Sequence, residues 1–157
     1  MRFIKIIASL VIFLIISFLF IKSFFPYYSE ASDSMEPNLS KGDLIFVNKY
    51  YYKFNELQKD DIVLIKPSKE VFSKGILCHR IIATSNDNVV IRDKKIYVNN
   101  REIQNSVVNS ASDTQLVVPD EMFFQKGDNV TTKTYGLVAN DQIIGKVIFN
   151  FTKMKLF

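Results

Sequence analysis

Two residues of this chain could together cleave a peptide bond. Ser34 lies in the segment Ser34-Met35-Glu36-Pro37, and the single histidine, His79, lies in the apolar run of residues 76–83. A serine hydroxyl becomes a nucleophile only beside a general base. A neutral imidazole can accept its proton near neutral pH if the two groups lie within ~2.6–3.2 Å of each other. Each residue alone is commonplace, so the pair predicts acyl transfer only if the fold brings them together.

The composition argues against a metal site and against a disulfide framework. The chain has one cysteine, Cys78, and one histidine. A single cysteine cannot form an internal disulfide, and a zinc site would have to be built mainly from carboxylates, which zinc sites seldom are. We therefore expect no metal and no cofactor.

The net charge does not predict a nucleic-acid-binding surface. The formal charge is +4 at pH 7. Arg2, Lys5 and Lys22 all precede the first acidic residue, Glu30, so the rest of the chain is close to neutral. Nucleic-acid binding would need basic residues clustered on the folded part.

The first thirty residues predict a membrane anchor. Residues 3–25 carry no charge except Lys5 and Lys22, near the two ends, and at ~1.5 Å per residue they span a ~30 Å hydrocarbon layer. Basic groups are in excess before the stretch, which places the N-terminus in the cytoplasm and residues 26–157 outside. The alternative is a cleavable signal peptide cut after Ala31, but the apolar stretch exceeds the usual ~7–15 residues.

Beyond the anchor, the sequence predicts short β-strands. Runs of β-branched and aromatic residues are separated by Gly, Asp, Asn and Lys. They lie at 43–47, 61–66, 76–83, 88–92, 95–98, 115–118, 122–125 and 143–149. Asn99-Asn100 predicts a tight hairpin turn, and residues 50–57 are the single candidate helix. We expect a transmembrane anchor, residues 1–25, followed by one antiparallel, mainly β domain, residues 26–157.

Five segments, in order along the chain, resemble the type I signal peptidases of the S26 serine peptidase family. The first contains Ser-Met-x-Pro, the second a Gly-Asp strand, the third a further strand, the fourth the general base and the fifth Gly-Asp-Asn with a closing Gly-Lys. They correspond to residues 32–37, 42–47, 60–63, 78–82 and 127–146. Together with the anchor, the resemblance covers residues 3–149.

The resemblance implies a role for each residue of the site. Ser34 would be the nucleophile, and His79 the general base at a position where bacterial members usually carry lysine. Imidazole suits that task because it is neutral at pH 7 without burial. The backbone N–H of Ser34 and the hydroxyl of Ser32 would form the oxyanion hole. Met35 and Pro37 would line the substrate pocket.

The sequence leaves more than one candidate for the group that orients His79. In relatives with a histidine base, an aspartate six positions after the Asp of Gly-Asp-Asn has this role, and here that position is Thr134. Asp128 is the nearest substitute and Asp141 a weaker one. A dyad without an orienting acid retains part of the rate.

The resemblance implies a membrane-anchored serine endopeptidase that removes signal peptides from exported preproteins. It would lie in the bacterial cytoplasmic membrane with the peptidase domain on the extracytoplasmic side. Its partners would be preproteins and membrane lipid, with no nucleic acid.

Three alternatives come from other classes. One is a processing peptidase dedicated to a single substrate, such as a conjugative pilin. Another is a non-catalytic, membrane-anchored binding relative, which the altered last segment favours and the presence of both Ser34 and His79 opposes. A cytosolic self-cleaving repressor is opposed by the apolar N-terminus and by the lack of candidate DNA-binding helices in the sequence.

Overall fold

A long apolar helix precedes the folded domain. The computed structural model describes residues 2–24, 27–30, 32–66, 75–104, 106–108, 113–131 and 134–157. Helix α1 (Arg2–Phe24) contains the segment Phe3–Ser23, which by length and composition could cross a membrane. The most apolar part of this segment has no buried residues. The helix therefore fits the predicted anchor. The predicted boundary at residues 25 and 26, and the alternative cleavage point at Ala31, lie outside the described residues.

The rest of the described chain is mainly antiparallel β-structure, as predicted. The strands are β1 (Tyr27–Ser29), β2 (Leu44–Asn48), β3 (Ile62–Ile65), β4 (Leu77–Ala83), β5 (Asn88–Arg92), β6 (Lys95–Val98), β7 (Arg101–Glu102), β8 (Thr114–Val117), β9 (Met122–Lys126), β10 (Tyr135–Ala139), β11 (Ile143–Asn150) and β12 (Lys155–Leu156). A short helix, α2 (Tyr51–Phe54), lies within the predicted segment 50–57.

The strands form two sheets. The larger sheet has the order β1-β2-β11-β3-β4-β9-β10, with β12 paired to β11, and the smaller has the order β7-β6-β5-β8. Tight turns with positive φ at Asp93 and Lys94, and at Asn99 and Asn100, close the two hairpins of the smaller sheet. The second of these turns is the one predicted from the sequence.

Both faces of the larger sheet are buried near its centre. Side chains alternate between the faces of a strand, so β3, whose four residues are all buried, contributes to two cores. The Met35 cluster contains Met35, Leu39, Ile45, Val47, Ile62, Leu64, Cys78 and Val147. The Val63 cluster contains Leu57, Val63, Ile65, Ile81 and Val138. A third cluster joins the two sheets and contains Ile82, Ala83, Val89, Ile91, Ile96, Val98, Val108, Val118 and Phe124.

The Met35 cluster and the Val63 cluster define the two sides of β4. Cys78 belongs to the Met35 cluster. His79 pairs across the ladder with Val63, and directly opposed residues in an antiparallel pair share a face. Cys78 and His79 therefore point to opposite sides of the sheet.

Candidate active site

Ser34 is held in a turn between β1 and β2. The turn is closed by two backbone hydrogen bonds, from Glu36 N–H to Asp33 O and from Leu39 N–H to Met35 O. Met35 and Leu39 are fully buried in the Met35 cluster, so the apolar positions of the segment anchor it to the sheet. Ser34 itself is only 6% exposed. Its position is thus set by the packing of the residues that follow it.

The Ser34 hydroxyl contacts the edge of β4. Its Oγ lies 3.3 Å from the carbonyl oxygen of Cys78, to which it can donate, and 2.8 Å from Oγ of Ser32. We call the side chains of Ser32 and Ser34 the hydroxyl pair. The structure therefore brings the Ser-Met-x-Pro segment to the residue immediately before His79.

The imidazole of His79 lies among buried residues on the other side of β4. The side chain is 0% exposed, and neither ring nitrogen has a hydrogen-bond partner in the described part of the chain. Burial lowers the pKa of His79 from 6.5 to about 4, an effect that the nearby Gln125 side chain and the charge of Asp128 oppose. The ring is therefore neutral at pH 7, the form in which it can accept a proton, but it makes no hydrogen bond with Ser34.

Asp128 is bound to Arg80. The guanidinium donates from Nε to Oδ1 at 2.8 Å and from Nη2 to Oδ2 at 2.7 Å, and Asn38 donates to Oδ2 at 2.9 Å. The charge-assisted bond to Asp128 raises the pKa of Arg80. Arg80 and Asp128 therefore form a salt bridge held by two hydrogen bonds. Both oxygens of Asp128 are used in this way, and its contribution to His79 is electrostatic, without a hydrogen bond.

The other acid considered for His79 lies in a separate turn. Asp141 is exposed in the short helical turn Asn140–Gln142. Thr134, which stands at the position where relatives with a histidine base carry aspartate, is half-buried just before β10. Neither is among the side chains that affect the pKa of His79.

The Gly-Asp-Asn segment forms hydrogen bonds with the turn that carries Ser34. Asn129 donates from its backbone N–H to the carbonyl oxygen of Ser34 at 2.9 Å, and from its side-chain amide to the carbonyl oxygen of Asp33 at 2.9 Å. With the Arg80–Asp128 pair, these bonds connect the ends of β4 and β9 to the nucleophile segment. The first, fourth and fifth segments singled out in the sequence thus meet at one place.

A polar cavity adjoins this cluster. It has a volume of about 510 Å³, and Pro37, Arg80, Lys126 and Asp128 are among the residues that line it. Pro37 is therefore at a cavity wall, whereas Met35 is buried beneath the Ser34 turn. Burial lowers the pKa of Lys126, and Asp128 partly offsets this effect. Among the described residues, no group of three or more His, Cys, Asp and Glu side chains could hold a metal ion.

The sequence analysis missed Glu30. This residue is 5% exposed, and its Oε1 accepts the backbone N–H of Ser32 at 3.1 Å and the Ser32 hydroxyl at 3.0 Å. A signal was present in the spacing, since Glu30, Ser32 and Ser34 alternate along the chain and alternate residues of an extended segment share a side. The site therefore contains a carboxylate that no recognised motif indicated.

Cys78 does not compete with Ser34 as a nucleophile. Burial raises the pKa of the Cys78 thiol well above its usual value, and the Glu30 carboxylate raises it further. Because the thiolate, and not the thiol, is the reactive form, the sulfur stays unreactive while the site is closed.

Comparison with known proteins agrees with these segments. The family described as signal peptidase, peptidase S26, matches residues 2–152. Signal peptidase I T of Bacillus subtilis (strain 168) is 30% identical over 171 residues, which cover 96% of this chain and 84% of that protein. Signal peptidase IB of Staphylococcus aureus (strain Mu50 / ATCC 700699) is 25% identical over 170 residues, covering 92% of this chain and 87% of that protein.

A structural relative has the same family name. The crystal structure of a signal peptidase I from Enterococcus faecalis V583 matches 59% of this chain and 97% of that chain, with a TM-score of 0.43 and 21% identity. It is the family match over residues 2–152 that assigns the chain: this protein belongs to the signal peptidase family, peptidase S26.

Proposed function

We propose that this protein is a membrane-anchored serine endopeptidase that removes signal peptides from exported preproteins, with Ser34 as its nucleophile. The observation that carries the proposal is the position of Ser34. Its hydroxyl is buried against the edge of β4, 3.3 Å from the Cys78 carbonyl oxygen and 2.8 Å from a second hydroxyl. Family membership supplies the reaction, and this geometry supplies an ordered serine to perform it.

The reaction is acyl transfer in two halves. Ser34 Oγ attacks the scissile carbonyl carbon, and the amine leaves with a proton, which gives an acyl-enzyme that water then hydrolyses. The oxyanion needs donors that are already in place. The backbone N–H of Ser34 is one candidate, since among the described residues its hydrogen bond is a long one, of 3.4 Å, to Ser32 Oγ. The Ser32 hydroxyl, the second donor proposed from the sequence, would have to turn from Glu30 to the substrate.

His79 is the proton acceptor proposed from the sequence. In its favour, the Ser34 hydroxyl touches the residue before it, and its imidazole is in the neutral form at pH 7. The proposal requires the ring to turn from the Val63 cluster towards the β4 edge. Asp128 could orient His79 only by exchanging at least one of its bonds to Arg80 and Asn38.

The preprotein has a place to bind beside Ser34. On the side away from β3, the ladder of β4 with β9 starts at Arg80, so Leu77–His79 leave that edge without a strand partner in the described part of the chain. An extended peptide can add itself to such an edge and present alternate side chains to the protein. Met35 would form the floor of the pocket and Pro37 part of its wall.

The anchor brings the site to its substrate. The turn that carries Ser34 follows α1 and the short strand β1. A signal peptide held in the same membrane would present its cleavage site near the membrane surface. The excess of basic groups before the helix favours placing the domain on the extracytoplasmic side of the bacterial cytoplasmic membrane. The alternative with a single dedicated substrate uses the same chemistry.

Cleavage of a labelled preprotein with an Ala-x-Ala site by the detergent-solubilised chain tests the proposal. Ser34→Ala should abolish cleavage, and Ser85→Ala should not, since in the described part of the chain the Ser85 hydroxyl donates to the Met122 carbonyl oxygen and not to the Ser34 turn. His79→Ala tests the base, because cleavage that survives this change would remove His79 from the mechanism. Cleavage by the Ser34→Ala variant, or none by the wild type, would refute the function proposed here.

A further inference from the structure

Gln125 is a buried polar residue whose side-chain oxygen is unpaired. It lies in β9 and is 8% exposed. Among the described residues, three buried side-chain nitrogen or oxygen atoms have no hydrogen-bond partner, and they are Oε1 of Gln125 and the two ring nitrogens of His79. A polar atom that is buried without a partner destabilises the folded chain. Their occurrence on two side chains beside the proposed base points to a functional role.

The larger sheet places these two side chains on one face. Gln125 lies directly opposite Ile81 in the ladder of β4 with β9, and opposed residues share a face. His79 shares that face because it alternates with Ile81 along β4. Diagonal neighbours of this kind are within reach of each other when the side chains are long or aromatic. The unpaired amide oxygen and the imidazole are therefore neighbours.

It is the amide oxygen of Gln125 that faces the imidazole. Burial lowers the pKa of His79, and the Gln125 side chain is the first of the groups that oppose this effect. Only an acceptor favours the protonated ring in this way, and in an amide the oxygen is the acceptor. The contact lacks the geometry of a hydrogen bond in this structure, so a change in the direction of the ring is needed to form one.

Gln125 lies on the side to which the His79 ring has to turn. β9 flanks β4 on the side away from β3, where the edge at Leu77–His79 has no strand partner in the described part of the chain. Val63 belongs to β3. A ring that turns from Val63 towards the open edge therefore turns towards β9, where the amide oxygen can accept its N–H.

We propose that Gln125 orients His79 in the substrate-bound site, its amide oxygen accepting the N–H of one ring nitrogen so that the other nitrogen takes the proton of Ser34. The proposal rests on the proposed function in taking Ser34 as the nucleophile and His79 as the base. A neutral imidazole has one N–H and one acceptor nitrogen, so a bond to an acceptor sets its tautomer. Gln125 acts through His79 and is a positioning residue. Asp128 can then keep its bonds to Arg80.

The same hydrogen bond supports the ring after it takes the proton. As Ser34 Oγ bonds to the carbonyl carbon, its proton passes to the free nitrogen of His79, and the ring becomes a charged imidazolium. Gln125 Oε1 then accepts from a charged donor, which makes the bond stronger. The ring returns the proton to the leaving amine as the C–N bond breaks. An interaction that strengthens towards the transition state raises kcat.

Cleavage of the labelled preprotein by the detergent-solubilised full chain tests the role of Gln125. Gln125→Leu keeps the approximate size of the side chain and removes the acceptor. It should lower kcat by about 10–10²-fold, the loss of one hydrogen bond to a group that becomes charged, and leave KM within about twofold. Gln115→Leu, at an exposed strand position, is the matched control and should cleave as the wild type does. A wild-type kcat for Gln125→Leu would overturn the proposal.

The pH dependence separates a positioning role from a structural one. The acid limb of kcat/KM reports the pKa of His79 in the free enzyme. Gln125→Leu removes a group that opposes the lowering of this pKa by burial, so the limb should move to lower pH. Gln125→Glu places a carboxylate there, which should move the limb to higher pH and restore part of kcat. A limb that stayed in place in both variants would contradict the proposal.

The other titratable groups around the ring are the same in every variant. Asp128 raises the pKa of His79 and Lys126 lowers it, after the larger effects of burial and Gln125. The buried members of the Val63 cluster are apolar, and Tyr52, which packs against that cluster, donates its hydroxyl to a carboxylate. A displaced limb therefore reports position 125.

A spectroscopic measurement that leaves Gln125 in place covers the case in which its variants fail to fold. The chain has a single histidine, so ¹⁵N-histidine labelling of the untagged Ser34→Ala chain gives the NMR signals of one imidazole. With an uncleaved Ala-x-Ala peptide bound at pH 7, the two ring nitrogens should show one neutral tautomer. Signals averaged between two tautomers would rule out the proposed hydrogen bond.

The outcomes distinguish this role of Gln125 from the proposed function. Cleavage by Ser34→Ala, or none by the wild type, would refute the function. A wild-type kcat for Gln125→Leu, with Ser34→Ala inactive, would remove the role of Gln125 alone. Cleavage that survived His79→Ala would remove the base, and the role of Gln125 with it.

Discussion

Acidification from pH 7 to pH 4 should lower the free energy of unfolding by about 3 kcal/mol through His79 alone. Burial lowers the pKa of this residue from 6.5 to about 4, against the opposing effects of Gln125 and Asp128 and with a small addition from Lys126. The side chain is 0% exposed, so solvent does not screen the effect. Each pKa unit corresponds to about 1.4 kcal/mol, which gives the figure of about 3 kcal/mol.

The sign follows from where the proton binds. Between pH 6.5 and about 4 the unfolded chain holds a proton on His79 that the folded chain does not. The free energy of unfolding therefore falls as the pH falls through this window, and the full contribution of His79 is present above it. Hydrogen bonds and nearby lysines lower the pKa values of Asp43 and Asp87 from 3.8. Their contributions to stability are lost below that value, so the window above pH 4 reports His79.

Urea unfolding of the detergent-solubilised chain at several pH values measures the effect. The chain has seven tyrosines and no tryptophan, so tyrosine fluorescence is the signal. The wild type should lose about 3 kcal/mol across the window, whereas His79→Gln, which cannot titrate there, should lose much less. If both proteins lost stability equally, the interpretation of His79 as a neutral, buried imidazole would be wrong.

The remaining predictions concern the supports of the site. Asp128→Asn removes the charge that faces Arg80, and the two side chains are 14% and 23% exposed, respectively. The free energy of unfolding, measured in urea, should fall by about 3 kcal/mol, which is the lower end for breaking a buried pair. Cleavage should fall with it, and an unchanged cleavage rate would show that the pair does not hold the Ser34 turn. Gly145→Ala places a Cβ 2.6 Å from the Asn48 carbonyl oxygen and should lower the free energy of unfolding by about 1–3 kcal/mol. The expected measurement is a lower Tm, and an unchanged Tm would contradict the close approach of the two strands. Met35→Ala should cost about 2–5 kcal/mol, since Met35 is fully buried, and a loss under about 1 kcal/mol in urea would mean that the site collapses around the missing side chain.

The eight strands with an apolar pattern were predictable, and β1, β7, β10 and β12 were not. Residues 88–92 and 95–98 are strands over the predicted ranges, and the ends of the other six predicted strands differ from the observed ends by one residue at most. β7 contains only Arg101 and Glu102, which are extended because they pair with Val98 and Tyr97. No local preference identifies such a strand. β10 was missed because Gly136, with a φ of 150°, interrupts its pattern.

The site was predictable where a side chain belongs to a recognised segment. The approach of Ser34 to the segment that contains His79 followed from the resemblance. The direction of the His79 ring depends on packing against Gln125 and the Val63 cluster, which only the fold determines. Glu30 belongs to no recognised segment, and its alternation with Ser32 and Ser34 was the one signal in the sequence for its contact with Ser32.

The Cys78 thiol can be used to detect local opening at the active site. It is the single thiol of the chain, 1% exposed, and its carbonyl oxygen accepts the Ser34 hydroxyl. An alkylating reagent can therefore reach the sulfur only when this part of the molecule opens locally, and the alkylation rate measures how often it does so. A peptide bound across the edge of β4 would slow the reaction. Occupancy could thus be followed on the unmodified sequence by mass spectrometry, from the mass that alkylation adds to the protein.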